Sequence, residues 1–133
     1  MKTILLIQEN AASLIALAMV LRSQGWTVLE TDNQTQAIDA CLENNGAIKL
    51  LLTDFELGTD YGPEVAKRLL ELSPEMQVIF VLSSPPERSH DTGLPSGRCA
   101  FLSKPFDADT LINALEILSK PPRASRVIQG KPH

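Results

Sequence analysis

The stretch LLLTDFELGTDYGPE, residues 50–64, decides the fold. With Ile48 and Lys49 before it, its first part (IKLLLT, residues 48–53) is an apolar run of the kind that a parallel sheet buries on both faces. Asp54 stands immediately beyond the last apolar residues, at the head of a polar loop containing Glu56, Gly58 and Gly62. Pro63 suits a first helical position, where its missing N–H is not needed and its fixed φ is already helical. Val65, Leu69, Leu70 and Leu72 then give a helix an apolar face, which Ser73-Pro74 ends. A buried strand, a tip carrying a carboxylate and an amphipathic helix therefore follow one another directly.

The same alternation extends in both directions. Residues 3–7 (TILLI) predict a buried first strand, after which Asn10 caps a helix with Leu14, Leu17, Ala18 and Leu21 on one face and Gly25 at its end. Residues 26–30 (WTVLE) predict a second strand, and residues 34–45 a helix with Ala37, Ile38 and Cys41 inward, stopped by Gly46. Residues 77–82 (QVIFVL) and 99–103 (CAFLS) complete five strands. Asp107 caps a last helix that turns Leu111, Ile112, Leu115 and Leu118 inward. Residues 85–98 are the weak element: Pro85, Pro86, Gly93, Pro95 and Gly97 permit at most a short helix, with Leu94 as its apolar anchor. Strand and helix in strict alternation predict an α/β domain. Its sheet is doubly wound, parallel and five-stranded in the order 2-1-3-4-5, with helices on both faces, as in flavodoxin-like folds. The domain spans residues 1–119, and Pro121-Pro122 opens a basic, proline-containing tail or linker at 120–133.

Composition bounds the function. The chain has 133 residues, enough for one core; 44% apolar and 21% charged residues belong to a folded domain. Residues 1–119 carry 8 basic and 16 acidic side chains, a formal −8, while residues 120–133 carry 4 basic ones and no acid. An acidic body lacks the clustered Lys and Arg of a nucleic-acid surface. Cys41 and Cys99 stand among apolar residues with no metal-ligand spacing and read as buried free thiols, in keeping with the cytoplasm. The apolar run 11–21 is too short to span a bilayer, and no small-residue cleavage pattern follows it. A membrane partner is not expected.

In doubly wound sheets ligands bind beyond the carboxyl ends of the strands, where the strand order reverses. Those tips carry Gln8 and Glu9, then Asp54, then Ser83 and Ser84, then Lys104-Pro105. Asp54 alone reads as a solvated turn residue; joined by Glu9, a hydroxyl and Lys104, it reads as chemistry. Strands one and three are neighbours, so Glu9 and Asp54 are expected to approach each other. Mg²⁺ would relieve their repulsion, and a hydroxyl and an ammonium would bind the oxygens of a phosphoryl group on Asp54.

These residues resemble the receiver domain of two-component response regulators, similar to the chemotaxis regulator. The resemblance rests on ILLIQEN, LLLTDFELGTDYGPE, VIFVLSS and FLSKPF, and runs from Lys2 to Ser119. It implies Asp54 as phosphoacceptor, Ser83 (rather than Ser84) as switch hydroxyl, Lys104 as the phosphoryl-binding lysine and Phe101 as switch aromatic. It also implies a cis Lys104-Pro105 bond, and a Mg²⁺ site from Glu9, Asp54, the backbone carbonyl of Glu56 and the carbonyl of Gln8. Implied partners are a sensor histidine kinase or histidine phosphotransfer protein, a downstream effector, and a second copy of the chain as a homodimer.

One position departs from the family pattern: the first of the two acids usual after strand one is Gln8. A unit charge lost about 4 Å from a cation forfeits on the order of 4 kcal/mol of gross attraction per cationic charge at an effective dielectric near 20. Cation binding is therefore expected to weaken. The rival reading is a pseudo-receiver, a protein-binding module that signals without phosphorylation. A flavin carrier of the same architecture is disfavoured by QENAAS after strand one, which lacks a glycine-rich phosphate loop. His90 and His133 have none of the companions of a catalytic histidine.

Overall fold

The computed structural model describes residues 2–44, 47–57, 60–82, 94 and 99–118. Five strands, β1 (Thr3–Ile7), β2 (Thr27–Thr31), β3 (Leu50–Asp54), β4 (Gln77–Leu82) and β5 (Cys99–Ser103), pair in parallel in the order β2-β1-β3-β4-β5. Four helices accompany them: α1 (Ala11–Ser23), α2 (Gln34–Glu43), α3 (Gly62–Leu72) and α4 (Ala108–Leu118). A short antiparallel ribbon of Glu56–Leu57 and Asp60–Tyr61 connects β3 to α3. The fold and strand order are those the sequence predicts.

Period-two alternation splits the apolar residues of the central strands between two cores. Ile4 and Leu6 of β1, Leu50 and Leu52 of β3, Ile79 and Val81 of β4, and Ala100 and Leu102 of β5 pack with α1 and α4. Leu5, Ile7, Leu51, Val78, Phe80 and Leu82 face the other way, against Ala37 and Cys41 of α2 and Val65, Ala66 and Leu69 of α3. Each fully buried Leu or Ile contributes about 1.5–3 kcal/mol, so two filled faces hold the sheet rigid and fix its strand ends.

The capping expectations hold. Asn10 accepts a hydrogen bond from Ser13 N–H, Asp107 accepts one from Thr110 N–H, and Gly25 leaves α1 at φ 89°. Cys41 and Cys99 are buried, and Leu94 packs against the α2/α3 core. Three elements differ in their bounds, the first being α2, which ends at Glu43 with Asn44 as its C-cap. The second strand starts at Thr27, because Trp26 N–H still bonds to Leu21 O and closes the end of α1. The third runs from Leu50 to Asp54, so Asp54 is its last residue, paired with Val81, and Phe55 N–H continues that ladder to Val81 O at 2.9 Å. The stop at Gly46, the weak segment at 85–98 apart from Leu94, and the tail at 120–133 lie outside the described residues.

Candidate functional site

Strand alternation brings three polar side chains onto one face. Asp54 follows Leu50 and Leu52 in the α1/α4-facing series of β3, Gln8 follows Ile4 and Leu6 in that of β1, and Lys104 follows Ala100 and Leu102 in that of β5. Ile7 pairs with Thr53, so the next step in register sets Gln8 beside Asp54. Backbone bonds carry the ladders past the strand ends: Gln8 N–H donates to Thr31 O at 3.1 Å, and Lys104 N–H to Leu82 O at 2.8 Å.

The side chains meet on one oxygen. Gln8 Nε2 donates to Asp54 Oδ1 at 3.2 Å, and Lys104 Nζ lies 3.8 Å from the same atom. The Asp54 side chain is 15% exposed and that of Lys104 39%, whereas Gln8 is fully buried. An open cleft of about 300 Å³, lined by Gln8, Ser13, Leu17, Val81, Lys104, Pro105 and Phe106, adjoins them. Burial pushes the Asp54 carboxyl above its ordinary range; the Lys104 ammonium and the Gln8 N–H oppose that rise without cancelling it. The Lys104-Pro105 bond is cis, as the resemblance implied.

Gln8 is a poor choice for stability alone. A hydrogen bond to a charged partner is worth about 1.5–3 kcal/mol, but Gln8 Oε1 is buried without a partner among the described residues, at a penalty of about 1–3 kcal/mol. The two nearly cancel. The hydrogen bond that reaches Asp54 from the end of β1 comes from Gln8; Glu9 follows in a bend beyond the strand and is exposed.

These facts bear on Mg²⁺. Gln8 turns an N–H rather than an oxygen toward Asp54, and its Oε1 is shut off from solvent. The donor set does not fit a divalent cation seated on Asp54 Oδ1.

The opposite face of the same strand ends is aromatic. Phe101 of β5 is half-buried and stacks on Phe80 at 5.8 Å, 6.1 Å from Phe55; Phe55 meets Phe80 and Tyr61 edge-on at 5.5 and 5.1 Å. Of this cluster the sequence reading picked out Phe101 alone. It also missed the close approach at Gly62, whose N–H donates to Phe55 O at 2.8 Å; a Cβ there would meet Asp54 O at 2.5 Å and Phe55 O at 2.6 Å. Glu56 sits exposed in the ribbon. Ser83 and Ser84 lie outside the described residues.

The sequence profile of the response regulator receiver domain matches residues 4–116. The chain belongs to that family. It is a receiver domain of two-component signalling. It is 30% identical to the response regulator receiver protein CpdR of Brucella abortus over 87% of its own length and 95% of that protein. It is also 28% identical to the sensor kinase CckA of the same organism, of which it spans 13%. The receiver domain from hybrid histidine kinase CckA superposes with TM-score 0.74 at 26% identity, covering 89% of this receiver and 99% of that one. Chemotaxis protein CheY4 of Vibrio cholerae, at 16% identity, gives TM-score 0.78 over 89% of this receiver and 98% of that chain, and so shares the fold. Among the described residues of this receiver no helix is long and apolar enough to cross a membrane.

Proposed function

We propose that Asp54 is the phosphoacceptor of this receiver, charged by a phosphohistidine on a sensor kinase or phosphotransfer protein. The observation that carries the proposal is the convergence of Gln8 Nε2 and Lys104 Nζ on Asp54 Oδ1 at the tip of the central strand. A carboxylate oxygen of Asp54 attacks phosphorus, the P–N bond breaks, and its electron pair leaves on the imidazole nitrogen. With a proton on the other ring nitrogen of the donor imidazole, the products are an acyl phosphate and a neutral histidine. Lys104 neutralises charge on the phosphoryl oxygens, and the fixed strand ends supply alignment, the main contribution a protein makes to phosphoryl transfer. Ser83, next in the chain after Leu82, would hold a phosphoryl oxygen, and Phe101 would pass the change to the surface through its contacts with Phe80 and Phe55. An effector protein reads that surface.

Incubation with a small phosphodonor such as phosphoramidate, followed by intact-mass measurement, tests the assignment. The wild type gains the mass of one phosphoryl group and Asp54→Ala gains none. An adduct retained by Asp54→Ala overturns it.

A further inference from the structure

We infer that Gln8 takes over at Asp54 the electrostatic task of a divalent cation, so that this receiver keeps its acceptor carboxylate in place without a metal. The inference rests on Asp54 being the acceptor and adds how the site is held. A buried carboxylate needs positive potential or N–H donors aimed at it, because burial disfavours its charge. Two groups meet that need here, the Gln8 amide at 3.2 Å and the Lys104 ammonium at 3.8 Å, both on Oδ1. A cation on that oxygen would face the Gln8 N–H and compete with it.

The amide's orientation is fixed by the same contact. Turned over, Gln8 would set Oε1 against the carboxylate, acceptor on acceptor. In the observed orientation Oε1 is instead left buried without a partner among the described residues. The observed orientation presents the N–H to Asp54. That orientation is the opposite of what a metal ligand shows. Glu9, the next residue in the chain, is exposed. Gln8 is thus a positioning residue whose donor replaces a bound ion, and the acceptor site is decoupled from the divalent-cation supply.

Gln8→Glu tests this with almost no change of shape. It swaps the N–H for a carboxylate oxygen and leaves two carboxyl groups in contact, an arrangement that only a cation or a proton relieves. The thermal midpoint is read at neutral pH in EDTA and in millimolar MgCl₂, with NaCl matched for ionic strength. Wild type is expected to respond to MgCl₂ no more than to NaCl. Gln8→Glu is expected to melt lower in EDTA and to rise with MgCl₂, as binding to the folded state requires. A Mg²⁺-specific rise in the wild type as large as that in Gln8→Glu overturns the inference. Should the variant fail to fold, Mn²⁺ titration of the wild type decides: selective broadening of Gln8 and Asp54 resonances overturns the inference, and its absence upholds it. Phosphorylation of the wild type in EDTA is expected within about twofold of its rate in MgCl₂. A chain that gains no phosphoryl group in either condition loses the acceptor reading, while the melting comparison still judges the Mg²⁺ response.

Discussion

β1 and β5 both send a polar residue toward Asp54, and they treat it differently. From β5 comes Lys104, a partly exposed ammonium 3.8 Å from Oδ1 beside a cis proline. From β1 comes Gln8, a fully buried neutral amide 3.2 Å from the same oxygen. The β5 side matches the family pattern in which a lysine meets phosphoryl oxygens. The β1 side departs from it, offering a donor where acids are usual. In this receiver the half of the site that meets the phosphoryl group keeps the family pattern, while the half that would meet a cation departs from it. Gln8 and Lys104 each stand one residue past the end of their strand, on the α1/α4 side, and the ladder bonds of their backbone N–H groups hold them there.

The largest expected effect breaks the β5 side. Lys104→Met removes the ammonium and keeps the apolar stem, and should slow phosphorylation of Asp54 by about a hundredfold, the usual consequence of losing one charge-stabilising donor. Quench-flow or time-resolved intact mass reads it. A loss smaller than that of Gln8→Ala would reverse the roles given to the two sides. Next in size is Gly62→Ala, which drives a methyl into the carbonyl oxygens of Asp54 and Phe55. It should destabilise the fold by about 1–3 kcal/mol in urea unfolding, since the atoms it meets are backbone of the central strand end rather than a flexible side chain.

Asp54→Asn sharpens the comparison by removing the charge that both sides serve. Burial raises the Asp54 carboxyl, so its contribution to stability is present below the unfolded-state value and lost as pH rises through the folded-state value. The variant should therefore melt higher than wild type at neutral pH, with the gap closing in acid; a gap that widens in acid contradicts the direction. The smallest effect belongs to Glu9→Gln, which should change stability by no more than about 0.5 kcal/mol, as is usual for an exposed side chain. It should leave the response to MgCl₂ unchanged.

Much of this was legible in the sequence, and the rest has physical reasons for being hidden. Five apolar runs fixed the sheet because two-sided burial demands unbroken Leu, Ile and Val. Gln8, Asp54 and Lys104 were legible as strand tips, and counting faces from Leu6 and Leu52 puts Gln8 on the same face as Asp54. The aromatic cluster was not legible, since Phe55, Tyr61, Phe80 and Phe101 come from four segments whose meeting depends on the register of β4 with β5. Gly62 gave no signal either, because glycine in a loop is ordinary and its close contact is with backbone atoms. The ribbon at Glu56–Leu57 and Asp60–Tyr61 is too short for any periodicity to declare.

The central claim, that Asp54 receives the phosphoryl group, is tested most directly by reducing the phosphorylated wild type with borohydride and mapping its peptides. Reduction converts an aspartyl phosphate to homoserine and leaves an ordinary aspartate unchanged. The account predicts homoserine at position 54 and at no other aspartate. Homoserine elsewhere, with Asp54 recovered intact from protein that carries a phosphoryl group, would contradict it.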